Sequence, residues 1–108
     1  MQIFVAGGSG RVATELIKDL VADGNTVVAG AHHEDHIIKL DNVKAVHMDL
    51  HSSVDDLAKL MKGRDAVYFT AGSRGKDLLQ TDAYGAVKTM QAAKKLGIER
   101  YILVQSLL

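Results

Sequence analysis

Apolar residues gather in five short runs, and the stretches between them carry helical periodicity. Residues 3–6 (IFVA), 26–31 (TVVAGA), 43–48 (VKAVHM), 65–70 (DAVYFT) and 101–105 (YILVQ) predict strands. From Arg11 onward, Val12, Ala13, Leu16, Ile17, Leu20 and Val21 recur at the spacing of a helix with one apolar face. Asp23-Gly24-Asn25 stops that helix, with Gly24 suited to a left-handed cap. Residues 32–40 are polar, then briefly apolar, and predict a short helical turn. Ser53 opens a helix to about Lys62, with Asp56 three residues on in the capping-box position. Residues 71–76 (AGSRGK) read as a loop. Residues 78–96 read as a long helix that turns Leu79, Ala83, Ala86, Val87, Met90, Ala93 and Leu96 to the core and stops at Gly97.

Strands that are apolar on both faces and alternate with helices require a parallel sheet covered on each side. Right-handed crossovers then predict an α/β, doubly wound sheet in strand order 3-2-1-4-5. Its crevice lies between the carboxyl ends of strands 1 and 4. At 108 residues and 47% hydrophobic content, the chain suffices for one domain with a real core. Ser106-Leu107-Leu108 closes it directly after the fifth strand, where a loop and a covering helix are due. An uncovered apolar edge strand invites aggregation. The chain is therefore expected to be the N-terminal part of a longer protein, truncated after strand 5. The alternative is a complete domain whose last strand a second copy covers.

Charge narrows the partners. Thirteen basic residues balance thirteen acidic ones, so no net field points to nucleic acid or an anionic membrane. No apolar run approaches the ~18 residues of a membrane span, and the N-terminus lacks the basic start of a signal peptide. The absence of cysteine excludes disulfides, thiolate catalysis and cysteine-held metal. A cytoplasmic protein is the simplest expectation.

The first strand feeds Gly7-Gly8-Ser9-Gly10-Arg11-Val12-Ala13, a glycine-rich turn that opens straight into the first helix. Gly7 permits the chain reversal, Gly10 allows a ligand to approach the backbone, and the small Ala13 lets helix and sheet pack closely. Unpaired N–H groups at the helix start then face the turn, a site for a diphosphate. The same residues also suit a plain glycine turn with no ligand; their strand-turn-helix setting favours the first reading.

The glycine turn, Met48-Asp49-Leu50 after strand 3, Tyr84-Gly85-Ala86-Val87-Lys88 leading to Gln91-Ala92-Ala93, and residues 97–106 (GIERYILVQS) occur in one order. Together they resemble the atypical short-chain dehydrogenase/reductases, the NAD(P)H-binding branch close to biliverdin reductase B and the NmrA-like proteins. The resemblance covers the whole chain and implies a Rossmann domain over residues 1–108 that binds NAD(P). It implies that Gly7, Gly8, Ser9, Gly10, Arg11 and Val12 hold the diphosphate, with Ala13 in place of a third glycine. Asp49 and Leu50 would lie along the adenine. Ala71, Gly72 and Ser73 would line the ribose and nicotinamide, and Ser106 would sit near the nicotinamide as the one candidate catalytic residue.

Asp49 also suits a plain turn cap, and His47 and His51 beside it read as surface residues. His32, His33 and His36 lack a fourth ligand type at defined spacing, so no metal is expected. The end of strand 2 bears on the cofactor. An NAD site offers an acid about 20 residues past the glycine motif, whereas positions 31–33 are Ala31, His32 and His33. The resemblance places His32 where relatives carry an arginine facing a 2′-phosphate. NADP is thus the expected cofactor, with NAD possible through Glu34 or Asp35. Tyr84 and Lys88 spell the Tyr-x-x-x-Lys pair of reductases, yet they precede strand 5, whereas that pair belongs on the helix after it. Arg74 and Lys76 suit either an anion contact or a solvated loop.

Two classes of function follow. One is an oxidoreductase moving hydride between NAD(P)H and a small carbonyl, quinone or flavin-like acceptor, with a nucleotide-sugar-type epimerase as a variant. The other is a non-catalytic NAD(P)-sensing protein of NmrA type. The small-molecule substrate and the oligomeric state are not legible in these residues.

Overall fold

Ile3, Phe4, Val5 and Ala6 are apolar in unbroken succession because their strand is sandwiched. In the computed structural model, which describes residues 1–71 and 78–105, each of the four is at most 2% exposed. They belong to β1 (Gln2–Ala6), followed by α1 (Arg11–Ala22), β2 (Thr26–Ala31), a 3-10 turn (Glu34–His36) and β3 (Val43–His47). Then come α2 (Val54–Met61), β4 (Ala66–Ala71), α3 (Leu78–Lys95) and β5 (Arg100–Gln105). All pairings are parallel and the order is β3-β2-β1-β4-β5, as the crossover argument predicts.

Alternation along the strands divides the core in two. Ile3, Val5, Val27 and Ala29 pack under α1 with Ile17, Leu20 and Ile37. Phe4, Val28, Val67 and Phe69 pack under α2 and α3 with Leu57, Met61, Ala92 and Ala93. Local signals set the helix ends. Gly24, at φ +89°, ends α1, and the Asn25 N–H donates back to the Leu20 carbonyl at 3.1 Å. Ser53 caps α2 by accepting from the Asp56 N–H at 3.2 Å. Among the described residues, no helix is long and apolar enough to cross a membrane.

One expectation fails on α3. Val87 and Met90 are 54% and 52% exposed rather than buried; Ala93 is buried as expected, and the line facing the sheet runs through it with Gly85, Thr89 and Ala92. The cause is close approach. A Cβ on Gly85 would stand 2.8 Å from Leu50 Cδ1 and 3.1 Å from the Phe69 ring, so only small residues fit on that line and the larger ones turn outward. Burying the Thr89 hydroxyl is tolerated because it is bonded. It lies 2.7 Å from the Gly85 carbonyl and 2.6 Å from the Tyr101 hydroxyl, which itself donates to the Ala86 carbonyl at 3.1 Å. Burial pushes the Tyr101 phenol above its ordinary pKa, and the Thr89 bond offsets part of that rise. Ala86 and Leu96 are partly buried as expected, and the side chains of Leu79 and Ala83 lie outside the described residues.

Two methionines test this packing. Met61 is fully buried and Met90 is half exposed. Met61→Ala is expected to lower unfolding free energy by about 2–5 kcal/mol, and Met90→Ala by less than about 0.5 kcal/mol. Urea unfolding of the two variants checks both values; equal losses would contradict the placement of α3.

Candidate functional site

The glycine turn is shaped by three neighbours. Gly7 and Gly8 both donate their N–H groups to the Gly30 carbonyl of β2, at 2.8 and 2.9 Å. From β4, the Thr70 hydroxyl donates to the Gly7 carbonyl at 2.6 Å and lies 3.2 Å from the Ala6 carbonyl. Gly7 has φ +79°, and a Cβ there would stand 2.6 Å from the Thr70 carbonyl oxygen. A Cβ on Gly8 would stand 2.9 Å from that of Ala29. Gly7 and Gly8 therefore shape the turn, and their N–H groups are already engaged. Gly30 and Thr70 were not among the candidate residues. Their signals were a glycine inside a strand pattern and a threonine ending the fourth strand.

The turn delivers the chain to Gly10, the N-cap of α1, in an extended conformation (φ −82°, ψ 174°). The first helical bond runs from the Thr14 N–H to the Gly10 carbonyl at 2.9 Å. The N–H groups of Arg11, Val12 and Ala13 therefore have no acceptor within the helix. Among the described residues no side chain caps them and no acid occupies the first turn. Its chain neighbours apart, no described atom lies within 4 Å of where a Gly10 Cβ would be. The result is an electropositive helix start at the carboxyl end of β1, between β2 and β4, with room beside Gly10 among the described residues. Ser9 and Arg11 are exposed beside it and Val12 is partly buried.

Histidines gather at the neighbouring edge. The parallel register sets His47 opposite Ala31, the last residue of β2. His47 Nδ1 lies 3.1 Å from the His32 carbonyl oxygen, and the two rings are 5.6 Å apart. His33 stands edge-on to His32 at 4.7 Å, and His36 is 5.4 Å from His33. All four are exposed. The Asp49 carboxylate accepts from the His51 N–H at 2.8 Å, which holds it below the usual carboxylate range; His51, His32 and His47 add to that effect through their charge. His47 and His51 are surface residues as read, but they converge with His32 around Asp49. Among the described residues, no group of three or more histidines or acids is arranged to hold a metal ion.

Leu50 is partly buried beneath Gly85. Tyr84 is 69% exposed, while Lys88 turns its ammonium to the carbonyls of Leu50 and Ser52. Ala71 ends β4 opposite Gln105 of β5. Gly72, Ser73, Arg74, Lys76 and Ser106 lie outside the described residues.

Residues 7–108 match a protein family described as NAD(P)H-binding. The chain is 32% identical to a UPF0659 protein of Saccharomyces cerevisiae over 99% of its own length and 51% of that protein. It is 33% identical to the uncharacterized sugar epimerase YhfK of Bacillus subtilis, over 99% of this chain and 53% of the relative. The chain thus spans about half the length of these curated relatives. Among solved structures, the oxidoreductase ylbE of Lactococcus lactis is 44% identical and superposes with a TM-score of 0.88, covering 95% of this chain and 47% of that one.

The contrast between Gly7 and Gly10 is measurable. Gly7→Ala meets a backbone carbonyl and a left-handed φ, each unfavourable, and is expected to cost more than about 2 kcal/mol of stability. Gly10→Ala meets nothing and is expected to lie within about 1 kcal/mol of the parent. Thermal unfolding of both variants decides; a loss at Gly10 matching that at Gly7 would refute this account of the turn.

Proposed function

The chain belongs to the NAD(P)H-binding family, and from that premise we propose that it supplies the cofactor half of an oxidoreductase. The reaction is hydride transfer between NAD(P)H and a small carbonyl, quinone or flavin-like acceptor. The uncapped start of α1, opening at Gly10 onto space that a Cβ would enter unopposed, carries this reading. Its residues fit the cofactor: three unpaired N–H groups and a positive helix end suit a diphosphate. In this assignment Arg11, Val12 and Ala13 hold the diphosphate by their N–H groups, Ser9 and the Arg11 side chain flank it, and Gly7 and Gly8 fix the turn. Asp49 and Leu50 receive the adenine. The family resemblance assigns Ala71, Gly72 and Ser73 to the ribose and nicotinamide, and Ser106 to the nicotinamide. The bound dinucleotide would supply the hydride; the protein's work is to orient it and exclude water.

The cofactor assigned is NADP. Ala31 ends β2 without an acid, and His32 stands exposed next to it with His33 and His47 in ring contact. Protonated imidazoles there attract a 2′-phosphate that an acid would repel. A second reading, epimerisation of a nucleotide sugar, is favoured by the likeness to YhfK. Rapid NADPH oxidation by the full-length protein with quinones, flavins or aldehydes, set against turnover of nucleotide sugars, separates the two readings.

Gly10→Val is expected to fold with an unchanged melting temperature and to weaken NADPH binding at least tenfold; calorimetric titration at parental affinity would refute the diphosphate assignment. Wild type is expected to bind NADPH more tightly than NADH, with a gap of roughly tenfold. A charge-assisted bond is worth about 1.5–3 kcal/mol, and solvent and salt reduce it at an exposed site. His32→Asp reverses the order. Retained NADPH preference in that variant would show that His32 does not read the phosphate.

A further inference from the structure

Lys88 is a cation that the assignments above leave without a part. It projects from α3 on the same side as Gly85, three residues earlier, and its ammonium is directed inward at a single turn between β3 and α2. It donates to the Leu50 carbonyl at 3.2 Å and to the Ser52 carbonyl at 2.8 Å, 38 and 36 residues away in sequence. Lysine is strongly hydrated and flexible, so an exposed helix position normally leaves it in water. Here it gives up part of its hydration to tie two main-chain oxygens together.

That turn has its own internal bonds, from the His51 N–H to the Asp49 carboxylate and from the Ser52 N–H to the Asp49 carbonyl at 3.0 Å. Both run toward Asp49 and neither engages the oxygens of Leu50 and Ser52. Lys88 holds those two. Its neighbour Gly85 presses on the Leu50 side chain, leaving no room for a Cβ, which would lie 2.8 Å from Leu50 Cδ1. Helix α3 thus grips the turn twice, by contact on a side chain and by charge on its backbone.

The geometry points to Lys88 as a positioning residue: its ammonium fixes the Asp49 to Ser52 turn in the shape that receives the adenosine half of the dinucleotide. This rests on the assignment of Asp49 and Leu50 to the adenine, and gives the lysine of Tyr84-x-x-x-Lys88 a role apart from proton transfer. Lys88 is separate from the diphosphate site at α1. Its loss is therefore expected to divide the two halves of the cofactor, weakening one and sparing the other.

The test titrates the full-length protein with ADP-ribose and with inorganic pyrophosphate. Lys88→Met keeps the aliphatic stem and is expected to weaken ADP-ribose at least tenfold while pyrophosphate affinity stays within twofold. Lys88→Arg, which keeps charge and donors, is expected to restore ADP-ribose to within about threefold of wild type. Leu50→Ala is expected to weaken ADP-ribose as well, and Lys88→Met to add little in that background. Parental ADP-ribose affinity in Lys88→Met, beside a weakened Leu50→Ala, overturns the inference alone. Equal loss of both ligands in Lys88→Met also overturns it, because that marks a general structural defect. Parental affinity in Leu50→Ala overturns the adenine assignment and the inference with it.

Discussion

A single carbonyl oxygen organises this end of the molecule. Gly30 of β2 accepts from both Gly7 and Gly8, and through that double bond the chain leaving β1 is bent against its neighbour strand before it can wander. The direction of α1 follows from the bend. The N–H groups of Gly7 and Gly8 are spent on this bend, whereas those of the first helical turn have no acceptor within the helix. Thr70 closes the turn from the other side.

The same economy of space governs the opposite layer. Gly85, Thr89, Ala92 and Ala93 let α3 lie close to the sheet. That proximity places a lysine within reach of the turn after β3 and a threonine hydroxyl within reach of Tyr101. Close packing and polar bonding are therefore not independent here. A bulkier line of residues would lift the helix and break the bonds that small residues permit. Asp55 and Lys95 add an ion pair between α2 and α3 at the surface, where exposed pairs contribute little.

Features governed by neighbouring residues were legible in the sequence. The buried first strand, the stop at Gly24 and the Ser53 cap with Asp56 all depend on groups a few positions apart, and each forms as read. Strand order was legible as well, because chain connectivity and crossover handedness leave few alternatives. Val87 and Met90 were misplaced for the opposite reason. Periodicity counts apolar side chains, whereas the orientation of α3 is decided by how near Leu50 and Phe69 allow it to come, a fact recorded in a glycine. At the candidate site, the turn and the free helix start could be read, but the partners Gly30 and Thr70 act through a main-chain oxygen and a hydroxyl that carry no motif. The meeting of His32 with His47 depends on strand register, which spacing along the chain does not reveal.

The bond from Thr70 to Ala6 spans 64 positions of the chain, although the glycine motif it supports occupies only a few consecutive residues. A local signature is thus completed by a distant strand. The turn at the head of α1 therefore acquires its final form only with β4 in place. The recognition proposed for this turn would need the finished sheet and not an early fragment of it. A ligand bound only to that finished turn would stabilise the native state by RT ln(1 + [L]/Kd).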